Sequence, residues 1–100
     1  MDAQTAGTTP DDLLLRRKRA LYRAGHRGTK ELDLLLGGYA QEKLQDMSEG
    51  ELETFETLLA MPDPEIAAWL LDRQASLPQA HDLAGLVGEL RVFHGLDGDR

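Results

Sequence analysis

The sequence predicts an all-α protein, a compact five-helix bundle, and three observations support this class. Apolar residues recur at every third or fourth position over most of the 100 residues. Helix start and stop signals divide the chain into five segments, and none shows the alternating β-branched pattern of a strand. The connections are short, which favours helices packed as antiparallel or steeply crossed neighbours. We expect one domain over residues 9–95, a disordered tail at 1–8 and a frayed tail at 96–100.

The first two helices meet at a short glycine-containing junction. Thr9 is the predicted N-cap of the first helix, with Pro10 at its first position, and the helix should run to about Ala24. Thr29 can cap the second helix, whose apolar positions keep helical spacing as far as Met47.

The last three helices have clear start or stop signals. Ser48 and Glu51 form a capping box at the start of the third helix. Asp63 followed by Pro64 predicts an N-cap and first residue for the fourth. The fifth helix keeps a spacing of three and four and should stop near Gly95.

Glycines do not form a phosphate-binding loop in this chain. Gly25 and Gly28 lack the following lysine and the preceding strand of such a loop. Gly37 and Gly38 lie inside the second helix and cost it about 1 kcal/mol each relative to alanine. We therefore expect this pair to permit a kink or a close helix crossing.

The composition argues against catalysis and against a membrane span. Cysteine is absent, which excludes disulfides and thiolate chemistry. The only serines are Ser48, assigned to a cap, and Ser76, beside a loop proline, and no two of the three histidines have helical spacing. No apolar run approaches a membrane span, and the first twelve residues carry three acids and no base, unlike a targeting segment. We expect no catalytic residue, no metal and no membrane contact.

Positive charge is concentrated near the N-terminus, although the net charge is −7. Residues 11–30 hold seven bases against two acids, whereas residues 31–100 hold four bases against fifteen acids. Arg16, Arg19 and Arg23 share one stripe of the first helix, and Arg27 continues it, which predicts a basic ridge. The ridge is either a solvated helix face or a docking surface for an acidic protein. Nucleic acid is disfavoured by the acidic remainder and the missing base-stacking aromatics.

The segment after the ridge could clamp a loop of another protein. Arg27 offers a planar fork suited to a carboxylate, Gly28 lets a foreign backbone approach, and Glu31 follows one helical turn later. The structural alternative is an Arg27–Glu31 pair with a glycine that the turn requires.

These residues resemble the Arg-Gly-x-x-Glu signature of the succinate dehydrogenase flavinylation factor family, also called succinate dehydrogenase assembly factor 2. The similarity extends from Tyr22 to Leu71 and includes the Ser-x-x-Glu cap, the Asp-Pro helix start and Trp69. It implies a small helical fold in which Arg27, Gly28 and Glu31 belong to the docking surface. Asp33 and His26 are candidates at its edge.

The resemblance also implies a function. Family members bind the flavoprotein subunit of succinate dehydrogenase, and in bacteria also that of fumarate reductase, and promote covalent attachment of FAD to a histidine of that subunit. We expect no stably bound cofactor in this chain, which would act as a monomer in the bacterial cytoplasm, with the mitochondrial matrix as the alternative. Two further hypotheses are proton transfer by Glu31 and a regulatory, antitoxin-type module that acts through the basic ridge.

Overall fold

In a computed structural model, which describes residues 10–72 and 74–96, the chain folds into five α-helices and one 3-10 turn. The helices are α1 (Pro10–Ala24), α2 (Lys30–Lys43), α3 (Glu49–Leu59), α4 (Asp63–Leu71) and α5 (His81–Phe93), with the 3-10 turn at Leu44–Asp46. The described residues contain no strand, so the predicted all-α class and its five helices are confirmed. The predicted N-cap Thr9, the tail at 1–8 and residues 97–100 lie outside the described residues.

A single hydrophobic core joins all five helices. α1 contributes only Ala20 and Ala24 as fully buried residues, and Leu13 packs against the core while partly buried. The other large apolar residues of α1 are exposed, namely Leu14, Leu15, Leu21 and Tyr22. The largest fully buried side chains come from the other four helices: Phe55, Leu32, Leu36, Leu52, Leu58, Ile66, Leu90 and Val87. No helix in the described part of the chain is long and apolar enough to cross a bilayer.

Helix boundaries differ from the prediction in two places. α2 ends at Lys43, because the chain tightens into the 3-10 turn, yet Leu44 and Met47 are still buried. Helix α4 begins at Asp63, with Pro62 as the N-cap residue and no side-chain cap. The predicted N-cap role of Asp63 is therefore wrong, because its carboxylate binds an arginine instead.

The start of α3 has the predicted capping box. Ser48 Oγ accepts a hydrogen bond of 3.1 Å from the Glu51 N–H, and Glu51 Oε1 accepts one of 2.8 Å from the Ser48 N–H. Two amide donors that the helix cannot satisfy internally thereby gain partners. This local pattern fixes the point at which α3 begins.

The end of α5 is a Schellman motif. Gly95 has φ +69°, the Gly95 N–H donates to the Val92 carbonyl at 3.0 Å, and the Leu96 N–H donates to the Arg91 carbonyl at 2.7 Å. These two bonds satisfy carbonyls that the helix end leaves free. Helix α5 thus stops beside Gly95 as predicted, and the Leu96 N–H is hydrogen bonded, whereas the predicted frayed tail over residues 96–100 stays a prediction.

Helices α1 and α2 approach each other at the backbone level. A Cβ added to Gly37 would lie 3.2 Å from the Cα of Gly25 and 3.8 Å from the carbonyl oxygen of Ala24. The predicted close helix crossing is therefore present at Gly37. Gly38 faces His94, whose Cε1 would lie 3.6 Å from an added Cβ.

Alanine should have different effects at Gly37 and at Gly85, which lies on α5 with open space around an added Cβ. Gly85→Ala should raise the free energy of unfolding by about 0.5–1 kcal/mol through helix propensity. Gly37→Ala makes the same gain but adds an overpacking cost of about 1–3 kcal/mol, so it should be neutral or destabilising. Urea unfolding followed by circular dichroism measures both, and equal stabilisation by the two variants would contradict the close crossing.

The hydroxyl of Tyr39 on α2 donates a hydrogen bond of 2.9 Å to Glu89 Oε1 on α5. Burial, helped by this bond and by the charge of Glu89, raises the pKa of Tyr39 well above its ordinary value near 10. The unfolded chain therefore loses this proton first, and stability should be complete below about pH 10 and decline above it. Tyr39→Phe should flatten this alkaline decline in urea titrations, and an unchanged decline in the variant would contradict this assignment.

Candidate partner-docking site

The Arg27 side chain points into the protein, contrary to the expectation of an outward clamp. Its side chain is only 10% exposed. Nε and Nη2 donate to Asp63 Oδ1 at 3.0 and 2.6 Å, and Nη2 also donates to the Met61 carbonyl at 3.0 Å. Nη1 donates to the carbonyl of Leu59. Arg27 thus fastens the α1–α2 junction to the end of α3 and the start of α4.

Asp33 also holds this junction. It lies in the first turn of α2, and its Oδ1 accepts a hydrogen bond from the backbone N–H of Arg27. Thr29 caps the same helix as predicted, accepting from the Leu32 N–H at 3.3 Å. Arg27 and Asp33 therefore shape the loop between them, and a direct contact of either with a partner stays a prediction.

Gly28 and Glu31 form the outward part of the junction. Gly28 has φ +105°, a conformation that favours glycine, and no atom lies within 4 Å of an added Cβ. The Glu31 side chain is exposed and has no hydrogen bond or ion pair within residues 10–72 and 74–96. The alternative Arg27–Glu31 pair is absent, since Arg27 binds Asp63. Gly28 therefore satisfies the backbone conformation of the turn and also leaves the surface around it open.

The predicted basic ridge is shorter than expected. Arg16 turns towards α3, where its Nε and Nη2 donate to the two carboxylate oxygens of Glu56 at 3.1 and 2.7 Å. This hydrogen bonding is the main cause that raises the pKa of Arg16 above its ordinary value. Arg19 and Arg23 remain exposed, with no ion pair to any described residue. Two of the four cations of the predicted ridge, Arg16 and Arg27, are therefore engaged within the bundle.

An aromatic pair extends the exposed surface beside Gly28. The rings of Tyr22 and His26 stack with centroids 3.9 Å apart and planes at 13°, and His26 Nδ1 lies 2.7 Å from the Tyr22 carbonyl oxygen. Together with Arg23, Arg27 and Asp63 they line a hollow of about 290 Å³. His26 thus lies beside the junction, and its contact with a partner stays a prediction. Tyr22, 64% exposed, is a surface residue that is not among the predicted site residues.

Sequence reasoning missed two other roles. Asp63 was assigned to a helix cap, but it is the ion-pair partner of Arg27. Arg17 donates from Nη2 to the Met47 carbonyl at 2.7 Å and so binds the connection between α2 and α3. Both partners lie at least 30 residues away in sequence, and no local pattern reports such a contact. Within the described residues, no three His, Asp or Glu side chains are grouped to hold a metal.

Comparison with known families identifies the class of protein to which this fold and junction belong. The model of a family described as the flavinator of succinate dehydrogenase matches residues 18–94, which include all five helices in whole or in part. The chain therefore belongs to the succinate dehydrogenase flavinator family.

Individual relatives agree with this assignment. The chain is 42% identical over 71 residues to a protein of Acetobacter pasteurianus named FAD assembly factor SdhE, covering 71% of this chain and 65% of that protein. It is 40% identical over 63 residues to the mitochondrial succinate dehydrogenase assembly factor 2 of Dictyostelium discoideum, covering 63% of this chain and 44% of the relative. The corresponding protein of Saccharomyces cerevisiae is 34% identical over 87 residues, covering 85% of this chain and 54% of the relative. The chain thus spans less than two thirds of each of these proteins.

Proposed function

We propose that this chain is an assembly factor that binds the flavoprotein subunit of succinate dehydrogenase and promotes covalent attachment of FAD to it. The observation that carries the proposal is the match of residues 18–94 to the flavinator family, with Gly28 and Glu31 exposed at the α1–α2 junction. The names of the relatives support it, since they are FAD or succinate dehydrogenase assembly factors. In this proposal the flavoprotein subunit of fumarate reductase is a further partner.

The proposed assistance is differential binding. A helper that binds all conformations of the flavoprotein equally changes nothing, whereas one that prefers the conformation with FAD beside its acceptor histidine raises the population that reacts. The exposed backbone at Gly28 suits close contact with a partner loop, and Arg27 keeps that backbone in place through Asp63. FAD and its acceptor histidine both belong to the partner, and the helper acts as a monomer.

The proposed location is the bacterial cytoplasm. The relative from Acetobacter pasteurianus supports it, and the mitochondrial relatives make the matrix the alternative.

Deletion of the gene tests the proposed function. Covalent flavin on the flavoprotein subunit, seen as in-gel fluorescence after denaturing electrophoresis, should fall in the deletion strain and recover when this chain is expressed. The same assay with purified flavoprotein and FAD, with and without this chain, separates a direct effect from an indirect one. Unchanged covalent flavin in the deletion strain would refute the proposal.

Glu31→Gln distinguishes docking from proton transfer at Glu31. The variant keeps the shape of the side chain and removes its charge, and the side chain has no partner to lose among the described residues. If Glu31 only contributes to docking, we expect the flavinylation rate at saturating helper to stay within about threefold of the wild-type rate. A fall of about 100-fold at saturation, together with a changed pH profile, would instead favour proton transfer.

A further inference from the structure

A second, larger concave surface lies between the first turns of α3 and the outer face of α5. This open groove has a volume of about 1180 Å³, and Tyr39 and Lys43 at the end of α2 contribute to its wall. It is separate from the junction at Arg27, because it meets α3 at Gly50 and Thr54, whereas Arg27 binds the last residue of that helix. From Thr54 to Leu59 the helix rises about 7.5 Å, which separates the two regions along α3.

Two glycines of α5 leave the groove unfilled. Gly85 and Gly88 lie three positions apart on one face of the helix, and an added Cβ at either would meet no atom within 4 Å. Each costs α5 about 1 kcal/mol relative to alanine. Gly37 has an internal reason for lacking a side chain, namely its contact with Gly25, but nothing within the described chain requires the glycines of α5.

The floor of the groove is apolar and its aromatic part is held in place. Val92 is 67% exposed and Phe93 is 38% exposed, although both are large hydrophobic residues. The Phe93 ring packs edge-on against Tyr39 with centroids 5.3 Å apart, and Lys43 Nζ lies 5.9 Å from its centroid. Exposed apolar side chains around a concave surface are typical of a binding groove.

The rim of the groove is acidic. Four carboxylates line it against one lysine, Lys43, and one histidine, His81; the acids are Asp46, Glu51, Asp82 and Glu89. This charge disfavours the chain's own ends as occupants, since residues 1–9 contain Asp2 and no lysine or arginine, and residues 97–100 contain two acids and one arginine. An occupant that complements both floor and rim has an apolar face flanked by lysine or arginine.

We propose that the groove between α3 and α5 is a docking site for a basic amphipathic helix of another protein. The apolar face of that helix covers Val92 and Phe93, its backbone approaches α5 at Gly85 and Gly88, and its cations meet the acidic rim. This is the helix-in-groove mode of recognition, in which a helix buries anchors three and four residues apart. The proposal does not depend on the flavoprotein assignment, because it uses a different surface.

Fluorescence anisotropy with a model peptide tests the proposal on the full chain. The probe is a labelled peptide of about four helical turns with leucines on one face and lysines on the other, and its control replaces the lysines by glutamates. At about 0.15 M salt, where distant charges are screened, we expect saturable binding of the lysine peptide only. Gly88→Gln fills the groove and should weaken binding at least about tenfold. The same variant should raise Tm by about 2–4 °C, so lost binding cannot be attributed to unfolding.

Two charge-reversal variants distinguish binding in the groove from general attraction of the peptide to an acidic protein. Asp46→Lys on the rim should weaken binding by about tenfold, whereas Glu53→Lys, an equal charge change outside the groove, should not. Equal effects of the two variants, absent binding, or full binding by Gly88→Gln would overturn the proposal. Sedimentation velocity of the chain alone should give a monomer. Self-association that Gly88→Gln abolishes would assign the groove to a second copy and overturn the proposed partner.

Discussion

Arg27→Ala should lower the free energy of unfolding by about 2–4 kcal/mol, a large share of the stability of a domain of this size. The substitution leaves the carbonyls of Leu59 and Met61 and the carboxylate of Asp63 without the donor they share. Asp63 is partly exposed and can recover some hydration, so we expect a value below that of a fully buried pair. Urea unfolding monitored by circular dichroism measures the loss.

Two variants serve as controls for this result. Arg27→Lys should recover little of the loss, because one ammonium cannot reproduce a planar fork directed at three acceptors. Arg23→Ala, at an exposed arginine with no ion pair to a described residue, should stay within about 0.5 kcal/mol of wild type. An Arg27→Ala protein as stable as the Arg23→Ala protein would show that the internal contacts of Arg27 contribute nothing to the fold.

Gly28→Arg should reduce capture of the flavoprotein subunit by about 100-fold, on the proposed function. The Gly28 backbone is exposed and unobstructed, so an arginine there would stand between this surface and an approaching partner. Any L-residue at φ +105° also strains the backbone, at a cost of about 1–3 kcal/mol. Gly28→Ala carries the same strain with little bulk and is therefore the matched control. Co-purification and in-gel flavin fluorescence measure both variants.

The two glycine variants distinguish three outcomes. If the Gly28→Ala protein captures the flavoprotein subunit and the Gly28→Arg protein does not, docking occurs at the open surface. Equal loss by both variants, when circular dichroism shows both to be folded, would mean that the shape of the loop matters rather than its accessibility. Undiminished capture by Gly28→Arg would exclude this surface from the interface.

Local signals were sufficient to predict the helices. The Ser48 and Glu51 capping box acts within three residues, and Gly95 ends α5 by its own backbone conformation, so each can be recognised in the sequence. The end of α2 could not be predicted in the same way. Leu44 and Met47 are buried whether the chain continues as an α-helix or tightens into a 3-10 turn, and the apolar spacing alone does not distinguish the two.

The candidate site was predicted only in part, because its geometry depends on distant residues. That Gly28 needs an unusual backbone and that Glu31 is exposed follow from the junction between two helices. The direction of Arg27 does not, because its acceptors Leu59 and Asp63 are contributed by another pair of helices. From the sequence alone, an arginine beside a glycine could equally contact a partner at the surface or bind acceptors within the bundle.

The contacts of Arg27 also determine when the α1–α2 junction can take its final shape during synthesis. The chain is synthesised from its N-terminus, so the residues of the Arg-Gly-x-x-Glu signature are translated before Asp63. A nascent chain that ends before residue 63 lacks the group that shapes the junction. Fragments that end before residue 63 should therefore contain the signature without the fixed junction.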